Sequence, residues 1–434
     1  MQSDVGVTLV CVRFRPEASN TTSPNHPEEP NAMDIEVPLP LTVVSAIMVL
    51  LIGRWLIGRI SFLAYYSIPE PVVGGLIVAV GFTLVRIGTG AELSFDMGLQ
   101  SPLLLLFFST VGLGADLRTL GQGGRKLLVL LAVVVVALVL QNLVGVAIAI
   151  GLDLNPLMGL LGGSATLAGG HGTGAAYGQL FGEVNGLQGA VEVAMACATF
   201  GLILGGVLGG PVAQWLIRRH RLQPIAQTPA VLGPGTVPKD ERRALSPESF
   251  IETLLILMFC LGAGGLLAEH LSIPGITLPT FVWCLLVGIV VRNALGLSGL
   301  YRVDGPTIEL MGTVSLSLFL AMALMSLRLW ELVNLALPIL VILAAQAALA
   351  VLLVVFLTFQ IMGRNYNAAV IAAGQCGFQL GATPTAIANM QAVTSRHGVS
   401  PMAFLLVPII GAFLIDICNA LVIQGFLALP WFGF

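Results

Sequence analysis

Charge is scarce in this chain: 9% of its 434 residues are Asp, Glu, Lys or Arg, against 56% that are hydrophobic. A soluble domain carries far more charge than that, so a soluble globule is excluded. Paired cysteines are lacking as well. Of six, Cys197, Cys260, Cys284, Cys376 and Cys418 fall in apolar or glycine-rich segments without paired spacing. They read as small buried hydrophobes and not as a disulfide framework. Five scattered histidines offer no ligand set for a transition metal. The first residues lack the charged and apolar regions of a secretory leader. A net charge of −3 identifies no partner, and no nucleic acid is expected.

What is present is apolar runs of about the 20 residues that span a bilayer. They lie at Leu41–Ile60, Val72–Thr89, Pro102–Leu113, Leu127–Ile150, Glu192–Trp215, Phe250–Leu267, Thr280–Val291, Glu309–Leu327, Leu335–Phe359 and Pro401–Leu427. The class is an all-α polytopic membrane protein, with the bilayer as its medium. Residues 1–37 read as a disordered extension, rich in proline and polar residues, with Met33 a candidate natural start. Residues 217–247, with Pro224, Pro229, Pro234 and Pro238, read as a central linker.

Two glycine-rich, hydroxyl-bearing stretches interrupt the runs: GGSATLAGGHGTGAAYG at Gly162–Gly178 and GQCGFQLGATPTAIANMQ at Gly374–Gln391. If each dips in and returns on one side, ten spans satisfy the positive-inside rule. Arg54, Arg118, Lys126, Arg292 and the linker's basic residues then face the cytoplasm, with both termini periplasmic. Each half, 38–216 and 248–430, holds five spans and one re-entrant loop (157–180 and 367–392). An odd number of spans inverts one half relative to the other. Pro71 and Pro279, the pairs Leu117-Arg118 and Leu327-Arg328, and Gly163, Gly170, Ala175 against Gly374, Gly381, Ala386 keep a near-constant register. Two inverted repeats of five transmembrane helices are therefore expected.

Broken helix at membrane depth is tolerated where it lines a wet cavity, and a matched pair in two repeats points to a transporter's binding site. Gly170, His171, Gly172, Thr173 and Gly174 are the substrate-binding candidates of the first loop. Gln375, Thr383, Thr385 and Asn389 are those of the second. Ser164, Thr166 and Gln379 offer oxygen to an alkali cation, as do Asp416 and Asn419, three residues apart on one helix face. Glu192, inside the fifth run, is costly to bury unless it meets a cavity or a partner. Packing by small residues is the bland reading of the glycines, but packing needs neither a histidine nor hydroxyls. No Arg or Lys lies in the core of a span, so an anionic substrate would be met by helix N-termini, backbone amides or a co-transported cation.

GGHGTGAAYG (Gly169–Gly178), GFQLGATPTAIANMQAV (Gly377–Val393) and MAFLLVPIIGAFLIDICNAL (Met402–Leu421) resemble the bacterial sodium/glutamate symporters of the glutamate:sodium symporter family. The resemblance covers about Pro38 to Pro430. It implies sodium-coupled L-glutamate uptake across the inner membrane, with Na⁺ as coupling ion and no other cofactor. It also implies inverted repeats, a homodimer and an elevator-like motion. The N-terminal extension and a longer, proline-rich linker depart from the family pattern without touching these motifs. Another small-anion carrier, or a channel built from re-entrant loops, is the alternative; an enzyme is not expected, for want of a nucleophile–base pair or metal triad.

Overall fold

The computed structural model describes residues 34–65, 68–89, 92–223, 246–271, 278–298, 304–326 and 335–429. Residues 1–33, linker residues 224–245, and Leu327 with Arg328 lie outside them.

An apolar run in lipid must satisfy its own backbone polar groups, which makes it helical. Pro38, extended at φ −68° and ψ 156°, begins α1 (Leu39–Arg59), where its missing N–H costs nothing. The short α2 (Ser61–Tyr65) and α3 (Glu70–Thr89) follow. Next come α4 (Gln100–Gly114) and α5 (Leu120–Gly151), the latter broken near its start at Gly124. A short α6 (Pro156–Leu160) runs into a π turn (Leu161–Ala165), then α7 (Gly170–Asn185) and the long α8 (Ala190–His220).

The order recurs beyond the linker. α9 (Pro247–His270), α10 (Thr280–Ser298) and α11 (Gly305–Met325) precede α12 (Ala336–Leu353), which continues through a π turn (Val354–Thr358) into α13 (Phe359–Ile361). Two shorter helices, α14 (Tyr366–Leu380) and α15 (Thr383–His397), follow. α16 (Pro401–Ile409) and α17 (Ile415–Leu427) form one helical run with a π turn (Ile410–Leu414) between them. Pro408, which has no amide to donate, sits just before that turn.

Corresponding elements begin 210 residues apart at Glu70 and Thr280 and at Pro156 and Tyr366, and 211 apart at Ala190 and Pro401. Capping keeps the same register. Asn155 Oδ1 accepts from the Leu157 amide and Asn365 Oδ1 from the Ala368 amide, each satisfying an orphan donor at a helix start.

Among the described residues eight helical spans are long and apolar enough to cross a membrane, so the chain is a multi-pass helical membrane protein. α4 and α17 are apolar but shorter; they correspond to the runs read at Pro102–Leu113 and within Pro401–Leu427. A parallel two-stranded pair, β1 (Asp34–Val37) on β2 (Glu92–Phe95), joins the residues before α1 to the segment after α3. Residues 34–37, which by composition belong to the extension, are thus ordered as a strand. Four residues without a connecting turn leave no readable signal.

The helices pack as two groups. α1, α3, α4, α9, α10 and α11 pack on one another; α5 to α8, α12 and α14 to α17 form the second group. α11 touches α7 and α8 across the boundary, and α4 touches the third π turn.

Glycine sets the closest crossings. A methyl group at Gly74 would lie 1.9 Å from the Val49 carbonyl oxygen, and one at Gly53 2.0 Å from that of Glu70, so α1 and α3 meet backbone to backbone. Gly74→Val is therefore expected to cost at least the 1–3 kcal/mol typical of overpacking. Gly81→Ala, on the same helix with open space around it, should leave the melting temperature of the detergent-solubilised protein unchanged. Equal melting of both variants would show that this crossing has slack.

Candidate functional site

The site is built where two helix pairs break. In the first, Gly163 leaves helical geometry at φ −98° and ψ −137°, and Gly170 takes φ 64°, a left-handed value that suits glycine. Neighbouring side chains satisfy the backbone groups freed there. The Ser164 amide donates to Asn142 Oδ1 at 2.9 Å, and Asn419 Nδ2 donates to the Ser164 carbonyl at 2.9 Å. In the second pair, Gly381 and the extended Ala382 separate α14 from α15, and Pro384 stands in the first turn of α15. Gln141 Nε2 donates to the Gln379 carbonyl at 3.1 Å. The two arms of this pair touch: a methyl at Gly377 would fall 2.4 Å from the Ala386 Cα.

The two breaks converge. A methyl at Gly170 would lie 3.5 Å from the Gly381 carbonyl oxygen. Beside them opens a cavity of about 1350 Å³, walled by α1, α3, α4 and α11 on one side and by both breaks on the other. It thus lies at the boundary between the two helix groups. Gly170, His171, Gly172, Thr383, Thr385 and Asp416 line it, six residues that the sequence singled out.

Chemically the cavity is mixed. α7 and α15 both begin at its wall, so two helix N-termini present free amides and positive dipole ends to it. His171 Nε2 lies 3.1 Å from Thr199 Oγ1, whose hydroxyl donates to the Met195 carbonyl at 2.8 Å. Thr199 anchors the imidazole at Nε2, and the second ring nitrogen keeps the capacity to bind a ligand. Thr383 donates its hydroxyl to the Gly411 carbonyl, tying the second break to the π turn before α17. Thr385 Oγ1 is buried without a partner. Asp416 supplies a half-buried carboxylate. At the rim, Arg54 grips Glu70 through Nε and Nη2 at 3.0–3.2 Å, and Arg292 stands 3.6 Å from Asp116.

The other predicted residues stand behind this wall. Ser164, Thr166, Thr173, Gln375, Gln379, Asn389 and Asn419 are all buried, and Gly174 packs on the Thr166 side chain. Thr166 donates to the Leu161 carbonyl. Gln375 accepts from Thr358 and donates to Gln379. Asn389 donates to the carbonyls of Gly205 and Ala373, holding α15 against α8 and α14. Asp416 lines the cavity, while Asn419, three residues on, donates to the Ser164 carbonyl at the first break. Glu192 occupies the first turn of α8 and does not line the cavity.

Sequence reading missed Gln141, Asn142 and Gln346. Gln346 Nε2 donates to the Gln141 carbonyl at 2.7 Å, which joins α12 to the same network. The signal was available, because Gln141 and Asn142 are polar residues in the middle of the Leu127–Ile150 run. Buried oxygens without a hydrogen-bond partner remain on Gln141, Ser164, Gln346 and Asn419. Their cost in an apolar interior is lowered if a cation sits among them.

Residues 35–399 match the family model described as sodium/glutamate symporter. A sodium/glutamate symporter of Escherichia coli (strain K12) is 52% identical over 393 residues, covering 90% of this chain and 98% of that protein. One from Shigella flexneri gives the same figures. One from Haemophilus influenzae is 46% identical over 385 residues, 88% of this chain and 95% of its own length. These relatives are named as transporters and not as enzymes. With a model match over most of its length and such relatives end to end, the chain belongs to the sodium/glutamate symporter family.

Proposed function

We propose that the protein takes up L-glutamate together with Na⁺ by alternating access in the bacterial inner membrane. The observation that carries this reading is the meeting of two broken helix pairs at one cavity on the boundary between two helix groups. Two helix N-termini there suit the carboxylates of an amino acid in the absence of a buried Lys or Arg. The His171 imidazole suits its ammonium. The amides of Gly170–Gly174 and the hydroxyls of Thr173, Thr383 and Thr385 complete the substrate side. For sodium, Asp416, Ser164, Thr166 and Asn419 supply hard oxygen ligands, with Gln141 and Gln346 beside them and Gln379 next in the network. Gln375 and Asn389 hold the second break in shape.

The length of the broken elements supports re-entrance. α6 with its π turn is 10 residues, which as helix reaches about 15 Å, short of a hydrocarbon core of about 30 Å, and α15, no longer than the apolar α4, ends in the polar run Thr394, Ser395, Arg396 and His397. Each pair then enters and leaves on one side, and five crossings per half invert the second repeat. The cavity's place between two packed groups supports an elevator, in which the group bearing the breaks slides against the other. Periplasmic termini and a cytoplasmic linker follow from the basic residues, and a homodimer from the family resemblance.

Radiolabelled L-glutamate uptake into proteoliposomes is expected to saturate and to need an inward Na⁺ gradient, with K⁺ or H⁺ gradients unable to replace it. Full uptake without Na⁺, or flux that never saturates as in a channel, overturns the proposal. Asp416→Asn should shift the Na⁺ activation curve more than the glutamate KM; an unmoved Na⁺ curve removes Asp416 from the ion site. Thr385→Ala should weaken apparent glutamate affinity roughly ten- to hundredfold, the loss of one hydrogen bond to a charged group. Thr385→Ser should restore most of it, and wild-type kinetics in the alanine variant would place Thr385 outside the site.

A further inference from the structure

We propose that the C-terminal end of α8 holds the phosphate of an anionic phospholipid. A second hollow, of about 650 Å³, is lined there by Pro211, Gln214, Trp215, Arg218, Arg219 and Arg221. The proposal rests on the chain's being a multi-pass membrane protein and not on what it transports.

The helix prepares this face. Val212, Ala213, Leu216 and Ile217 are buried against the bundle, so Pro211, Gln214, Trp215 and Arg218 turn outward at intervals of three and four. Along the outward face the residue types change with position. Exposed Val207 comes first, then Trp215 at 52% exposure, then three arginines within the final turn and its cap. Apolar, then aromatic, then cationic is the order in which a helix leaves the hydrocarbon for the headgroup layer.

Chain reversal gathers the charges. Arg221 adopts left-handed geometry (φ 50°, ψ 44°), its amide turning back to the carbonyls of Arg218 and Ile217. The Leu222 amide closes on the same Ile217 carbonyl at 3.0 Å. Arg221 lines one hollow together with Arg218 and Arg219. Among the described residues no ion pair with a carboxylate involves any of the three. Three guanidinium groups in one hollow repel one another until an anion sits between them. Their planar forks fit phosphate oxygens in pairs. The exposed Trp215 ring and Pro211 offer an apolar floor for glycerol and the first acyl carbons, which a free phosphate would leave uncovered. α8 packs against α7, α14 and α15, so a lipid held here touches the group that carries the cavity wall.

The test uses full-length protein, delipidated in neutral detergent without Na⁺ or glutamate, so its outcome is independent of transport. Binding is read by native mass spectrometry and thermal shift with phosphatidylglycerol, phosphatidylcholine or inorganic phosphate. Phosphatidylglycerol is expected to bind and stabilise the wild type, with phosphatidylcholine and inorganic phosphate ineffective at the same concentration. At about 1 kcal/mol per basic residue, R218Q alone should lose roughly fivefold in affinity and the triple variant R218Q/R219Q/R221Q about a hundredfold. Replacing all three with lysine should recover part of it, as charge without the fork. Equal phosphatidylglycerol binding by wild type and R218Q overturns the proposal, even if the triple variant does not fold. So does equal binding of phosphatidylcholine. Displacement of the lipid by equimolar inorganic phosphate would make this a small-anion site and overturn the lipid assignment.

Discussion

A peptide group in hydrocarbon has no water to turn to, and everything distinctive in this structure follows from where that constraint is met without a helix. At Gly163–Gly169 and Gly381–Ala382 the helical ladder stops, and the freed groups are taken up by side-chain amides from other helices. Asn142 accepts from Ser164, Asn419 donates to Ser164, and Gln141 donates to Gln379. These three amides come from α5 and α17, so the breaks are stable only in the assembled group. The helix N-termini that face the cavity exist because the breaks do.

This arrangement gives a chain so poor in charge a polar cavity wall. Dipole ends, hydroxyls and amide oxygens replace buried lysine or arginine, and Asp416 is the one acidic side chain among the predicted site residues at the cavity wall. Arg54 with Glu70, and Arg292 with Asp116, are held as partly exposed ion pairs, where solvent lowers the cost of keeping them. Different parts of the structure are held by different means: glycine crossings hold α1 to α3, while hydrogen-bonded amides hold the breaks.

Much of this was legible in the sequence. The glycine-rich segments, Pro384 between two threonines, and a lone Asp416 in an apolar helix each break a local rule, and each lands at the cavity. The repeat register of about 210 residues emerges in helix starts and in the Asn155 and Asn365 caps. What was not legible depends on which helix comes to lie beside which. Asn419 shares a helix face with Asp416, yet its partner Ser164 is 255 residues away. Gln141, Gln346 and Thr199 act only through such neighbours. Nothing in four residues of β1 announces that β2 will lie alongside.

The π turn between α16 and α17 has a consequence for how the last helix is aimed. A π turn holds one residue more than the α-helical turn it replaces, and each residue of α-helix sweeps about 100°. The residues beyond Ile410–Leu414 are therefore rotated by about that angle from where an unbroken helix would set them. Asp416 looks into the cavity and Asn419 at the first break by virtue of this offset, which Thr383 holds by its bond to Gly411. In this helix the deletion of one residue is a change of azimuth: the same side chains would follow in the same order and face another neighbour.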